Sequence, residues 1–90
     1  MASLYPIIEV FKTQQSKSID YNNGTITQAR MKVTYTGNGN IARYLTADGV
    51  NWEEVTNNVL YFFTNTGTDL RWKIEGSGVT ITKIEISDYH

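Results

Sequence analysis

The chain has 90 residues, a net charge of −1 at neutral pH and no cysteine. This length predicts one domain, 1–90, whose small core depends on dense aromatic packing or on association with other chains. The composition argues against disulfide and thiolate chemistry, nucleic-acid binding, a membrane span and a secretory leader. We expect a complete small gene product that is assembled inside a cell.

The first half of the chain predicts strands separated by turns. Residues 4–11 form the first strand, which Pro6 places at a sheet edge because proline lacks an amide donor. The polar residues 12–17 predict a loop, and a short extended piece at 18–21 precedes the turn signal Asn22-Asn23-Gly24. The longest predicted strand is 25–35, with positions 29, 31, 33 and 35 facing inward. It ends at the turn 37–40.

The segment 41–75 predicts a hairpin and a third strand. Asp48-Gly49 lies between the strand-like runs 41–46 and 51–55, and Asp-Gly in this position favours a two-residue turn with positive φ. The apolar run 59–64 is typical of a strand that is covered on both faces, and 65–69 predicts a turn. Strict alternation over 70–75 predicts that Leu70, Trp72 and Ile74 point into a core.

The last predicted strand, 79–86, contains a change of phase. Its first two apolar residues are at odd positions and its last two are at even positions, so a bulge near Thr82-Lys83 is needed to turn all four inward. We expect 87–90 to fray. About seven or eight strands and no helix predict an all-β fold, an antiparallel β-sandwich of jelly-roll or Greek-key type, with a small barrel as the alternative.

Residues for catalysis are scarce in this sequence. The single histidine is His90, the last residue, and the neighbours Glu53 and Glu54 point to opposite faces of a strand. Neither arrangement suits general acid–base chemistry, so the prediction is a protein that is not an enzyme. Zinc spacing is absent, and the oxygen-rich set around Asp48 is better explained by turn chemistry than by Ca²⁺. We predict no metal and no cofactor.

A carbohydrate site is the most specific ligand hypothesis. Aromatic faces stack on sugar rings, while carboxylate and amide groups bind the hydroxyls. These groups come together near the predicted turn in Tyr44, Asp48, Asn51 and Trp52, with Tyr61 as a further candidate. The alternative is that Trp52 packs across the hairpin and closes the edge of the core.

Two sequence motifs resemble those of a known class of proteins. They are Tyr44-Leu45-Thr46-Ala47-Asp48-Gly49-Val50-Asn51-Trp52-Glu53-Glu54-Val55-Thr56 and, after Phe62 or Phe63, Gly67-Thr68-Asp69-Leu70-Arg71-Trp72-Lys73. Together they resemble a pattern in small β-sandwich domains of tailed-bacteriophage virion proteins, found in tails, fibres, baseplates and capsid surfaces. The resemblance covers the second half of the chain, and 67–72 is its most specific part.

The resemblance implies a structural role without catalysis. It implies a virion subunit assembled in the host cytoplasm, either a capsid-decoration protein or a tail- or fibre-associated protein. Such a subunit contacts other virion proteins, and we expect it to be a homo-oligomer that uses strand edges and aromatic patches. The alternative function, from a different class, is a carbohydrate-binding module that recognises host-surface or environmental glycans.

Overall fold

The computed structural model describes residues 2–4, 14–15, 20–76 and 78–90. Within these ranges there are strands and no helix, and therefore no helix that could cross a membrane. The strands are β1 (Ala2–Leu4), β2 (Gln14–Gln15), β3 (Asp20–Gly37), β4 (Ile41–Thr46), β5 (Glu53–Val55), β6 (Tyr61–Gly76) and β7 (Val79–Tyr89). The predicted all-β class is confirmed, whereas the sandwich, jelly-roll and Greek-key arrangements stay predictions.

The strands form one hydrogen-bonded path in the order β1-β7-β3-β6-β4-β5, with β2 also beside β6, and every strand pair is antiparallel. The long strand β6 connects the two parts of this path. Residues 61–70 lie beside β3, with Leu70 opposite Asp20, and residues 71–76 lie beside β4, with Lys73 opposite Tyr44. The hairpin β4–β5 is therefore at one end of the path, and β7 is near the other end.

One hydrophobic core joins both parts of the path. The alternation predicted for 70–75 is confirmed, because Leu70, Trp72 and Ile74 are all buried. Side chains from β3, β4, β5, β6 and β7 pack with them, together with Ala47 from the loop after β4. Burial of a large apolar side chain stabilises a fold by about 1.5–3 kcal/mol. This cluster is therefore the main support of a chain that has no disulfide.

The predicted bulge in the last strand is confirmed at Thr82. Lys83 lies opposite Thr34 and Ile81 lies opposite Tyr35, so Thr82 is the extra residue on β7. Its hydroxyl donates a hydrogen bond of 3.1 Å to the carbonyl oxygen of Thr34. The bulge resolves the change of phase, since the four apolar residues on its two sides are all buried, namely Val79, Ile81, Ile84 and Ile86.

Two predicted turns are wrong because bulged strands run through them. At 22–24 the chain stays in β3, where Asn22 and Gly24 take positive φ values of 55° and 100° and the register with β6 shifts. At 65–69 the chain stays in β6, where it bulges between Phe62 and Gly67. Residues that tolerate positive φ also permit bulges, so the same sequence signal has two structural outcomes.

Other differences concern the ends and faces of strands. Part of the predicted loop 12–17 is strand β2. The C-terminal residues do not fray, since β7 continues to Tyr89 and Asp88 is 3% exposed. Tyr35 is 38% exposed although it was predicted to face inward. Most of the predicted strand 4–11, with Pro6, lies outside the described residues.

The apolar run 59–64 is not covered on both faces. Phe63 is buried, whereas Val59, Leu60 and Phe62 are 52%, 40% and 64% exposed. The alternation at Phe62 and Phe63 is that of a strand with one face toward the core and one toward solvent. This part of the prediction is wrong, and the exposed apolar side chains become a feature of the surface.

Candidate functional site

The predicted hairpin is present, but its loop is longer than two residues. Since β4 ends at Thr46, the connection between β4 and β5 spans 47–52, and β5 begins at Glu53 rather than at residue 51. Gly49 has the expected positive φ, 78°. The loop is longer because the Asp48 carboxylate organises the residues on both sides of it.

Asp48 is the acceptor at the centre of this loop. Its Oδ1 accepts hydrogen bonds from the Thr46 hydroxyl at 2.8 Å and from the backbone amides of Val50 and Asn51 at 2.9 and 2.7 Å. Its Oδ2 accepts one from the Asn51 side-chain amide at 2.6 Å. Burial acts to raise the pKa of Asp48, but the hydrogen bonds, led by those from Asn51, outweigh it and hold the pKa far below its ordinary value.

Asp48 and Asn51 thus bind each other, which is the turn chemistry that the sequence offered as the alternative to Ca²⁺. The described residues contain no group of three or more His, Cys, Asp or Glu side chains that could hold a metal ion. A ligand that required these two polar groups would have to compete with hydrogen bonds inside the loop.

The loop packs directly on the bulged part of β6. The backbone amide of Asp69 donates to the Ala47 carbonyl oxygen at 2.8 Å. A Cβ on Gly67 would lie 2.7 Å from the Asp48 Cα, so only glycine permits this approach. Arg71 donates two hydrogen bonds to the Asp69 carboxylate, from Nε at 3.1 Å and from Nη2 at 3.0 Å. The segment 67–72, the most specific part of the resemblance, therefore has a structural role: it is the surface on which the loop packs.

Tyr44, Trp52 and Lys73 form an aromatic–lysine cluster on the outer face of β4 and β6. The Lys73 Nζ lies 4.7 Å from the centroid of the Tyr44 ring and 4.8 Å from that of the Trp52 ring. The Tyr44 hydroxyl is hydrogen-bonded to Glu75, and this carboxylate raises the pKa of Tyr44. All three members of the cluster are half-buried. Two of the predicted sugar-stacking rings therefore lie close together, with an ammonium group between them.

Glu53 is an important residue that sequence reasoning missed. Its carboxylate accepts hydrogen bonds from the Tyr61 hydroxyl at 2.7 Å, from the amides of Thr64 and Asn65 at 2.9 Å each, and from the Asn65 side chain at 3.2 Å. Burial acts to raise the pKa of Glu53, and these donors, led by Tyr61, lower it overall. Glu53 shares its parity with the buried Val55, and this was the available signal that its side chain faces β6.

Tyr61, the further candidate for a glycan contact, has a structural role. Its hydroxyl donates a hydrogen bond to the Glu53 carboxylate. Its ring packs edge to face on the Phe63 ring, at a centroid distance of 5.5 Å and an interplanar angle of 81°. Such pairs stabilise packing by about 0.5–1.5 kcal/mol beyond the area that they bury.

The outer face of β6, β3 and β7 carries the exposed apolar residues; we call it the apolar–basic face. Phe62 lies opposite Gln28, which lies opposite Tyr89. Phe62 and Tyr89 are 64% and 44% exposed. Further along β3 on this face are Arg30 and Lys32, both exposed, which line a shallow pocket together with Asn58, Glu85 and Ser87.

Comparison with known proteins finds a similar fold at low sequence identity. No family model and no curated protein matches the sequence. Among solved structures, the crystal structure of PirA is similar with a TM-score of 0.49 and 10% sequence identity, over 98% of this chain and 93% of PirA. Similarity at this level carries no argument about function.

Proposed function

We propose that this chain is a non-catalytic structural subunit of a tailed-bacteriophage virion, a capsid-decoration or tail- or fibre-associated protein that works through contacts with other protein chains. The observation that carries the assembly role is the apolar–basic face, where Phe62 and Tyr89 are 64% and 44% exposed on either side of Gln28. Large apolar side chains that are exposed on one face often mark an interaction surface. The resemblance of 44–73 to virion proteins supplies the rest of the proposal.

The energetics favour a modest interface that is repeated many times. Full burial of one such side chain contributes about 1.5–3 kcal/mol. Much of this gain is offset by the loss of translational and rotational freedom when two molecules associate, about 4–15 kcal/mol. A few exposed residues therefore give weak association in solution, and the many simultaneous contacts of a particle convert it into stable attachment.

Sedimentation velocity of the purified full chain tests the assembly role. We expect self-association that increases with concentration and that is weakened in Phe62→Ser. The matched control is Val50→Ser, because Val50 is 74% exposed but lies on the hairpin loop, away from the apolar–basic face. A wild-type chain that stays monomeric up to near-millimolar concentration would count against the role, as would equal effects of the two substitutions.

The virion part of the proposal has its own test. Peptide mass spectrometry of density-purified particles, from a lysate of the phage that encodes this chain, should detect it in constant proportion to the major capsid protein. Its loss during purification of otherwise intact particles would contradict a place in the virion.

The second candidate function is a carbohydrate-binding module, and the aromatic–lysine cluster favours it. The rings of Tyr44 and Trp52 are half-buried and lie close together, with Lys73 available to donate to a sugar hydroxyl. We expect glycan-array binding by the wild type that is lost in Trp52→Ala and kept in Phe62→Ser. A wild type that binds no glycan, with its fold confirmed by circular dichroism, would remove this candidate.

A further inference from the structure

We propose that the shallow pocket on the apolar–basic face is a binding site for a phosphate group. The volume of the pocket is about 70 Å³. A cavity needs only about 10–15 Å³ to hold one water molecule, so this pocket has room for a small oxyanion. Its lining consists of Arg30, Lys32, Asn58, Glu85 and Ser87. The site goes beyond the proposed assembly role and does not depend on it.

Arg30 and Lys32 supply positive charge that the chain itself does not neutralise. Both side chains are exposed on β3, and neither takes part in an ion pair within the described part of the chain. An arginine guanidinium donates two parallel hydrogen bonds to phosphate oxygens, and a lysine ammonium adds a compact charge. Phosphate carries close to two negative charges at neutral pH, so it matches the two cations.

The loop before β6 forms one wall of the pocket. The backbone amide of Asn58 donates a hydrogen bond of 2.7 Å to the carbonyl oxygen of Met31, which lies between the two cationic residues of β3. The side-chain oxygen of Asn57 accepts one of 2.6 Å from the Val33 amide. Asn58 has a positive φ of 60°, a conformation that asparagine adopts more readily than most residues. These bonds fix the loop beside both cations.

Strand β7 forms the opposite wall. Ser87 lies opposite Arg30, and Glu85 lies opposite Lys32, in the ladder between β3 and β7. The Ser87 hydroxyl and the Asn58 side-chain amide are neutral hydrogen-bond donors. The pocket therefore offers two charged and two neutral donors on a hydrogen-bonded frame, and little ordering is needed when an anion binds.

Glu85 is the lining residue that opposes an anion. Its Oε1 lies 3.4 Å from the Lys83 Nζ, and both side chains are exposed. Lys83 offsets part of this negative charge, and water screens the rest. The pocket thus keeps a net positive charge, and Glu85 should weaken the binding of phosphate without preventing it.

Titration of the isotope-labelled full chain with sodium phosphate, followed by amide chemical shifts, tests the site. The protein is kept at a concentration where sedimentation shows monomers, and sodium chloride is adjusted to hold the ionic strength constant. We expect saturable changes at Arg30, Lys32, Asn58 and Ser87. Because the pocket is open to water, the dissociation constant should be on the order of millimolar.

Four variants separate the pocket from a general effect of charge. Arg30→Gln and Lys32→Gln should each weaken binding roughly tenfold. Lys73→Gln is the matched control, since it removes the same charge from the outer face of β4 and β6 and should bind phosphate like the wild type. Glu85→Gln should bind phosphate more tightly, because it removes the negative charge from the lining. Circular dichroism checks the fold of each variant.

Two results would overturn the site: shifts that increase with phosphate without saturating, and equal weakening in Lys73→Gln and Arg30→Gln. Glucose 6-phosphate separates two sources of the group, because tighter binding than inorganic phosphate indicates a phosphate carried on a sugar, and equal or weaker binding indicates the free anion. The proposed assembly role is judged separately, since it predicts association of the wild type whether or not phosphate binds.

Discussion

Replacement of Glu53 by alanine removes the group that ties β5 to the start of β6. Four hydrogen bonds end on its carboxylate, from Tyr61, Thr64 and Asn65, at 2.7 to 3.2 Å. The two backbone amides belong to the bulged part of β6 and would lose this acceptor in the variant. We therefore expect Glu53→Ala to loosen the bulge together with the β4–β5 hairpin.

The expected magnitude follows from the burial of each bond. A hydrogen bond to a charged group contributes about 1.5–3 kcal/mol when it is protected from water. Only the Tyr61 bond is partly buried, whereas those to Thr64 and Asn65 are exposed, so water replaces much of their contribution. The sum is a loss of about 2–3 kcal/mol in the free energy of unfolding, which lowers the melting temperature of a domain this small by about 10–20 °C.

Urea denaturation followed by tryptophan fluorescence measures this loss. Glu54→Ala is the matched control, because Glu54 is the next residue in β5 and is exposed on the other face, where a substitution changes stability by about 0.5 kcal/mol or less. Glu53→Gln should give an intermediate result, since it keeps one oxygen acceptor without the charge. Equal, small losses in Glu53→Ala and Glu54→Ala would refute the structural role of Glu53.

Three further predictions concern the same end of the molecule. Gly67→Ala should destabilise the fold by about 1–3 kcal/mol in urea denaturation, because the new Cβ lies 2.7 Å from the backbone of Asp48 and the loop must move; a wild-type midpoint would contradict this packing. The pKa values of Asp48 and Glu53 are lowered in the folded state. Their stabilisation is therefore present above the unfolded values, near pH 4, and should be lost as the pH falls through the lower folded values; Asp48→Asn should reduce this acid dependence of the urea midpoint. Lys73→Met removes the cation from the two rings and should cost about 1 kcal/mol, with a change in Trp52 emission; unchanged emission would argue against the cluster.

The period-2 signals of the sequence predicted the fold class well. Alternation from Leu70 to Ile74 placed the core face of β6, and the change of phase around Thr82 predicted a bulge that the structure contains. Both patterns arise because one face of the strand packs against the core, so that every second side chain is apolar. This alternation is visible in a short stretch of sequence, so it can be recognised before the fold is known.

The parts that could not be predicted depend on contacts between distant residues. Turn signals at 22–24 and 65–69 are resolved as bulges only when the pairing of β3 with β6 is known. The run 59–64 is apolar up to Phe63, and only the path of the chain shows that Phe62 faces outward. The role of Glu53 requires Tyr61 and Asn65 to be brought to it by β6.

The sequence predicted which residues belong to the candidate site, but it did not predict how they are arranged. Tyr44, Asp48, Asn51 and Trp52 do lie on or beside one hairpin, yet they divide into two groups. Asp48 and Asn51 are joined to each other in the loop, and the two aromatic residues share Lys73. Lys73 lies far along the sequence, and its approach follows from the register that sets it opposite Tyr44.

Concentration-dependent chemical shifts of the backbone amides test the central claim most directly. In spectra of the full chain at increasing concentration, we expect shifts to change together at Phe62 and Tyr89 and at Arg30 and Lys32. Resonances of buried residues away from this face, such as Leu45 and Ile74, should stay fixed. Spectra that do not change with concentration, or that change only at residues outside the apolar–basic face, would contradict assembly through the face centred on Phe62.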